Sequence, residues 1–193
     1  MKQRIAETLR HYSKRKITSR NLKSSAVLVP LFCSEGQHYI LFTQRSNEVE
    51  FHKGQICFPG GTCQPGDTSL LQTALREAEE EIGLKAEDVE ILGELDDTIT
   101  ITSGYVISPF VAFIPYPYPF KVSHREINQI FSAPLSALMD EANFRQAEDM
   151  QTLEGKSIPV YYCEYKGHII WGATARILKH FTDLLLSESG ALC

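Results

Sequence analysis

The most constraining feature of this sequence is a run of apolar residues at helical spacing near its middle. In S-L-L-Q-T-A-L-R-E-A-E-E-E-I, apolar side chains recur every three or four positions, at Leu70, Leu71, Ala74, Leu75, Ala78 and Ile82. This period places them on one face of an α-helix. Asp67 or Thr68 is suited to cap its start, and Gly83 to take the left-handed conformation after its end. We therefore predict a helix over about 69–82 that packs on a larger core.

Short apolar runs on both sides of this helix predict a β-sheet. Residues 25–34 and 38–43 are separated by E-G-Q and predict a hairpin. Further strands are predicted at 89–95, 105–114, 126–132 and 158–165, the last of them returning through Lys166-Gly167 into H-I-I-W-G. A short helix at 134–140 and an amphipathic helix at 174–186 follow from the same reasoning. The sum is a mixed sheet with helices on its faces.

Charge is unevenly distributed along the 193 residues. Residues 1–24 contain eight Lys or Arg and one acid, Glu7, for a net +7; because the whole chain carries −5, residues 25–193 carry −12. The basic segment fits three descriptions: a nucleic-acid arm, an organelle presequence, or an N-terminal helix that packs Ile5, Leu9 and Tyr12 on the rest of the chain. We expect a basic N-terminal helix or arm at 1–24 and a single domain at 25–193.

Cysteine content and hydropathy narrow the class of protein. The five cysteines are odd in number and form no C-x-x-C pair, which argues against a disulfide framework and against a zinc site. No apolar run reaches the roughly 18 to 20 residues that span a bilayer, and no signal peptide is recognisable. We expect a soluble protein with reduced thiols in the cytoplasm.

Glutamates crowd the last turns of the predicted helix, where the backbone already presents partial negative charge. Glu77, Glu80 and Glu81 share one face at i, i+3 and i+4 spacing, whereas Glu79 points elsewhere. Like charges at this spacing destabilise a helix by about a few tenths of a kcal/mol per pair. A hard divalent cation bound by carboxylate oxygens, Mg²⁺ or Mn²⁺, would offset this. The alternative is a solvated acidic face that Arg76 partly neutralises.

The surrounding residues resemble a known family motif. P-G-G at 59–61, an acid at 67 and R-E-A-E-E-E-I-G-L at 76–84 resemble the Nudix box, G-x5-E-x7-R-E-U-x-E-E-x-G-U with U aliphatic. The interval from Gly61 to Arg76 is one residue longer than in the box, so Thr68 stands at the glutamate position counted from Arg76 and Asp67 at that position counted from Gly61. The resemblance implies a Nudix-like α/β/α sandwich with a mixed central sheet and the box helix at about 69–82.

A second motif resembles the coenzyme A pyrophosphatase branch of that family. L-F-T-Q-R-S-N-E-V-E-F-H-K-G-Q-I-C-F-P-G-G, residues 41–61, is similar to L-L-T-x-R-S-x-x-L-x-x-H-x-G-Q-V-x-F-P-G-G. The resemblance implies a Mg²⁺- or Mn²⁺-dependent pyrophosphohydrolase that splits coenzyme A into 3′,5′-ADP and 4′-phosphopantetheine. Its partner is a small nucleoside diphosphate, not a nucleic acid or a membrane, and a homodimer is the assembly we expect.

The same resemblance assigns roles to particular residues. Metal ligands are expected at Glu77, Glu80 and Glu81; catalytic residues at Glu80, Glu81 and Glu126; and substrate-binding residues at Arg45, His52, Lys53, Gly60 and Gly61. Which glutamate is the general base stays open. Two other functions also stay open: a Nudix pyrophosphatase for another substrate, such as ADP-ribose or a dinucleotide, and a non-catalytic module that binds a nucleotide.

Overall fold

The computed structural model describes residues 1–46, 48, 53–151, 155 and 157–189, the side chains of 188 and 189 excepted. The elements in chain order are α1 (Lys2–His11), β1 (Lys23–Ser34), β2 (Gln37–Arg45), β3 (Ile56–Cys57), β4 (Gly60–Thr62), α2 (Leu70–Ile82), β5 (Glu90–Glu94), β6 (Thr98–Ile99), β7 (Tyr105–Phe113), β8 (Ile127–Pro134), α3 (Leu135–Leu138), β9 (Phe144–Gln151), β10 (Ser157–Tyr165), β11 (His168–Trp171) and α4 (Gly172–Ser189).

The central sheet is mixed, as predicted. β1 pairs antiparallel with β2 through the predicted hairpin, and parallel with β7 along its other edge. β1 and β2 diverge toward the start of β1, and two short strands fill the gap: β3 pairs with β2, and β4 pairs with β1 at residues 25–27. This gap holds the glycine-rich segment and therefore positions the candidate site.

Alternating side chains of β1 feed two separate cores. Ala26 and Leu28 face one layer, where they pack against Ala74, Ala78 and Ile82 of α2. Val29 and Leu31 face the other layer, which contains α1 and α4. Helices therefore cover both faces of the mixed sheet, and the predicted α/β/α class is confirmed.

A second, three-stranded sheet, in the order β11-β10-β9, was only partly predicted from the sequence. The turn from β10 into β11 matches the prediction, but β9 was missed. All of its residues except Phe144 are exposed, so F-R-Q-A-E-D-M-Q lacks the alternation that marks a half-buried strand. Its pairing with β10 therefore defines β9 as a strand where its own pattern does not.

The basic N-terminal segment contacts the acidic body of the chain. Ile5 and Leu9 of α1 are 0% and 4% exposed in the core. Lys14 Nζ lies 2.6 Å from Glu94 and 3.2 Å from Asp97. Both apolar and charged contacts therefore hold this segment on the rest of the chain. Among the described residues, no helix is long and apolar enough to cross a membrane.

Candidate active site

Helix α2 supplies the acidic side chains and begins one residue later than the predicted start. Its N-cap is Ser69, whose side chain accepts a hydrogen bond from the Gln72 backbone N–H, so neither Asp67 nor Thr68 caps the helix. Gly83 follows the helix with φ 68°, and its N–H bonds to the Glu79 carbonyl. This left-handed residue ends the helix as the sequence predicted.

Glu81 is the most deeply placed of these glutamates, with the residue only 1% exposed. Its Oε2 accepts a hydrogen bond of 3.2 Å from the Gly60 backbone N–H. Burial raises the pKa of Glu81 to about 8; the Gly60 bond and Arg45 oppose the shift, and the charges of Glu77 and Glu126 add to it. A carboxylate in these surroundings is poorly compensated and favours either a proton or a cation.

Glu77 lies against the glycine pair that precedes the helix. A Cβ built on Gly61 would lie 2.4 Å from Glu77 Oε2, and one built on Gly60 would lie 2.3 Å from the Ala26 carbonyl oxygen. Only glycine permits both approaches. Burial is the main cause that raises the pKa of Glu77. Gly60 and Gly61 therefore bring the backbone directly beside two of the box carboxylates.

Arg76 holds this acidic cluster together. Its Nη1 lies 2.8 Å from Glu77 Oε1 and 3.1 Å from Glu80 Oε2. Its Nε and Nη2 donate to the two oxygens of Asp67 at 3.0 and 3.1 Å. Asp67 also accepts from Thr73 Oγ1 at 2.9 Å, and Arg76 holds the Asp67 pKa far below its usual range. Asp67 is thus a fixed anchor for Arg76.

The three glutamates proposed as metal ligands share one end of α2 but differ in exposure. The Glu80 side chain is 57% exposed, that of Glu77 12% and that of Glu81 2%. Arg76 is bonded to both Glu77 and Glu80. The described residues contain no group of three or more Asp, Glu, His or Cys side chains already arranged to hold a metal ion. The donor set nevertheless fits a hard cation, because it consists of carboxylate oxygens and its most buried member lacks a full counter-charge.

Arg45 and Glu126 lie close enough to Glu81 to affect its charge at this end of α2. Arg45 Nη1 is 4.0 Å from Glu81 Oε1, and its buried Nε has no hydrogen-bond partner among the described residues. Glu126 is exposed in the turn before β8, where its carbonyl accepts from the Ser46 N–H at 2.7 Å. The Ser123 N–H donates to the Glu81 carbonyl at 2.8 Å, which ties this turn to the end of α2.

Two predicted residues remain, Lys53 and His52. Lys53 is exposed in the turn that enters β3, and His52 lies outside the described residues. Sequence reasoning missed Cys57, which is the partner of Thr43 in the β2–β3 pairing. Burial, and then the Glu81 charge, raises its thiol pKa to about 11. Cys57 is thus a protonated thiol beside the site. No motif or spacing in the sequence indicated that its side chain would lie near Glu81.

Comparisons with known proteins show similarity over most of the chain. The NUDIX domain model matches residues 22–149. A Nudix hydrolase named NudL from Yersinia pestis is 36% identical over 161 residues, which cover 83% of this chain and 79% of NudL. The region matched by the family model, residues 22–149, contains α2, the glycine pair, Arg45 and Glu126.

Solved structures show the same fold at low sequence identity. An Ap4A hydrolase from C. elegans superposes with a TM-score of 0.58 at 17% identity and covers 86% of this chain and 99% of its own. A MutT/nudix family protein from Enterococcus faecalis superposes with a TM-score of 0.54 at 15% identity and covers 95% of this chain and 73% of its own. At these identities the likeness concerns the fold alone.

Proposed function

Because the chain belongs to the Nudix family, we propose that it is a Mg²⁺- or Mn²⁺-dependent pyrophosphohydrolase whose substrate is coenzyme A or a derivative. The observation that carries this proposal is the buried carboxylate of Glu81 beside Gly60, with Glu77 and Glu126 close enough to raise its pKa further. Such an excess of negative charge opposes binding of a diphosphate unless cations lie between them.

In the proposed site, Glu77, Glu80 and Glu81 would hold the metal, which would supply positive charge for the diphosphate and would acidify a water molecule. Metal binding by Glu77 and Glu80 would require Arg76 to release them, and its bonds to Asp67 would keep the guanidinium in place. Gly60 and Gly61 leave room for substrate beside the carboxylates. Glu80, Glu81 and Glu126 are the candidates for the base that accepts the water proton.

Two basic residues, Arg45 at the end of β2 and Lys53 before β3, support binding of phosphate at this site. Arg45 presents a buried Nε without a partner in the described part of the chain, and a guanidinium binds phosphate oxygens through several N–H groups at once. Lys53 lies exposed in the turn that enters β3, and His52 extends the proposed set on sequence grounds alone. These residues belong to the segment that resembles the coenzyme A pyrophosphatases, which is the support for that substrate over other diphosphates.

The N-terminal segment favours a small-molecule partner over a nucleic acid. Lys14 and Arg15 pair with acids of this chain, so their charge is partly neutralised before any ligand binds. The proposal also includes a cytoplasmic location and a homodimeric assembly.

A panel of diphosphates tests the proposal. Purified protein is incubated with Mg²⁺ or Mn²⁺ and coenzyme A, ADP-ribose or a dinucleoside polyphosphate, and the products are separated by chromatography. We expect 3′,5′-ADP and 4′-phosphopantetheine from coenzyme A. Faster cleavage of another compound in the panel would refute the substrate, and no cleavage of any diphosphate would leave the non-catalytic nucleotide-binding module as the better description.

A further inference from the structure

The second sheet buries one of its faces and leaves most of the other exposed. On the inner face, Cys163 is 0% exposed and packs in the core that includes α4. On the outer face, strand pairing places Tyr162 opposite Trp171 and Glu164 opposite Ile169. The apolar side chains of Tyr162, Ile169 and Trp171 are 37%, 54% and 39% exposed, and together they form what we call the apolar patch.

This concentration of exposed apolar side chains is specific to the second sheet. Of the seven large apolar side chains that are exposed in the described residues, four belong to its strands: Met150, Tyr162, Ile169 and Trp171. Clustered apolar side chains on a surface mark a docking site, whereas single ones do not. The rings of Tyr162 and Trp171 stack with their centroids 6.4 Å apart, and these two residue types dominate the centres of protein–protein interfaces. The apolar patch therefore favours a protein partner.

Two opposite charges flank the apolar patch. Arg145 of β9 stands opposite Tyr162, and Glu164 lies two residues further along β10 on the same face. Both side chains are exposed, and neither forms an ion pair within the described residues. A hollow of about 310 Å³ has Arg145, Tyr162, Glu164 and Ile169 in its lining, so side chains of a partner have room to approach both charges. A face with one charge of each sign beside an apolar centre is complementary to a copy of itself.

Strand spacing allows two copies to satisfy both charges at once. Arg145 and Glu164 are one strand apart across the sheet and two residues apart along it, which separates their Cα atoms by about 8 Å. A twofold axis that lies between two such faces, diagonal to the strands, exchanges these two positions. Each Arg145 then lies over Glu164 of the second copy, and the two Trp171 rings meet near the axis. The strands of the two copies cross steeply, as in the orthogonal class of sheet packing.

The free edge of β9 is less suitable for contact with a second copy. Among the described strands, β9 pairs with β10 alone. Its ladder is interrupted by a bulge between Ile158 and Val160, where Glu148 and Asp149 of β9 fall. Bulges and charged side chains are the features by which natural sheets prevent edge-to-edge association. The outer face is therefore the better candidate.

We propose that two copies of this chain associate through the outer face of the second sheet, with the apolar patches at the centre and Arg145 of each copy paired with Glu164 of the other. Because both copies of a twofold dimer use the same surface, the ion pair forms twice. The inference does not depend on the proposed function, since no residue of the candidate active site takes part in the contact.

The fluorescence of wild type tests this surface directly, because Trp171 is the only tryptophan of the chain. Protein is diluted stepwise, and its sedimentation velocity and emission spectrum are recorded at each concentration. We expect a dimer that dissociates on dilution, with Trp171 emission that shifts to longer wavelength over the same concentration range as the indole returns to water. A dimer that dissociates without this shift would overturn the proposal. Wild type that stays monomeric at every concentration would assign the face to a different partner and would equally overturn it.

Charge reversal tests the pairing whatever the strength of the wild-type dimer. Arg145→Glu and Glu164→Arg should each weaken self-association by about 100-fold or more, because each places like charges together at both symmetric contacts. An equimolar mixture of the two variants should restore the dimer, since both contacts then join opposite charges.

Arg10→Glu, at an exposed position of α1, is the matched control and should associate like wild type. Both reversed positions are exposed, so circular dichroism of the variants should match that of wild type. A mixture that does not associate, or variants that each associate as tightly as the control, would overturn the pairing of Arg145 with Glu164.

Discussion

Replacement of Glu81 by glutamine should separate the stability of the metal-free protein from its activity. The residue is 1% exposed, and burial raises its pKa from the usual 4.5 to about 8. Because the folded-state pKa lies above the unfolded one, the contribution of Glu81 to stability is present in full below about pH 4.5 and is lost as the pH rises to about 8. A shift of that size corresponds to at most about 5 kcal/mol.

Glutamine retains the shape and an oxygen that accepts the Gly60 N–H bond, but it has no charge to bury. In EDTA at pH 9, Glu81→Gln should therefore unfold at a higher temperature than wild type, and at pH 4.5 the difference should nearly vanish. Even 2 kcal/mol corresponds to about 4 to 8 °C for a chain of this length. Turnover should fall by orders of magnitude, because the variant removes a proposed metal ligand.

The assay is thermal unfolding followed by circular dichroism between pH 4.5 and 9, with EDTA and then with Mn²⁺. Mn²⁺ should raise the melting temperature of wild type at pH 9 and should leave that of Glu81→Gln nearly unchanged. A variant that is less stable than wild type at pH 9 without metal would refute the burial reasoning. A variant with full activity would refute the metal assignment.

Three further substitutions test separate parts of the structure. Gly61→Ala should lower turnover by about 100-fold with the fold retained, because the added Cβ displaces the Glu77 carboxylate. Circular dichroism checks the fold and a rate assay checks the turnover, and a wild-type rate would contradict the prediction. Asp67→Asn should lower both melting temperature and turnover because it loosens Arg76, and unchanged values would show that Asp67 is no anchor. Ile5→Ala should lower the free energy of unfolding by about 2 to 5 kcal/mol, measured by urea denaturation, because Ile5 is fully buried. Arg10→Ala, at an exposed position of the same helix, should have little effect. Equal effects of the two substitutions would mean that α1 does not share the core.

The box helix was predictable because two signals agreed on it. The apolar period defined its buried face, and Gly83 marked its end, so the predicted range 69–82 differs from Leu70–Ile82 by one residue. The capping residue was not predictable in the same way. Asp67, Thr68 and Ser69 are all good N-caps, and only the structure shows that Asp67 is occupied by Arg76 and Thr73.

The second sheet and the pairing of Arg76 show where sequence reasoning stops. β9 has a polar, exposed sequence, so only its partner strand defines it. The sequence offered metal binding and neutralisation by Arg76 as alternatives for the acidic face. The structure has Arg76 bonded to Glu77 and Glu80 while Glu81 stays apart, and helical spacing alone does not distinguish these environments because it ignores burial.

The most direct test of the account is a Mn²⁺ titration of the metal-free protein, with free Mn²⁺ followed by electron paramagnetic resonance. The account predicts that wild type binds Mn²⁺, that Glu77→Gln and Glu81→Gln bind it much more weakly, and that Glu79→Gln, an exposed glutamate of the same helix, binds it like wild type. Absence of binding to wild type, or equal binding by all four proteins, would contradict the assignment of these glutamates as metal ligands.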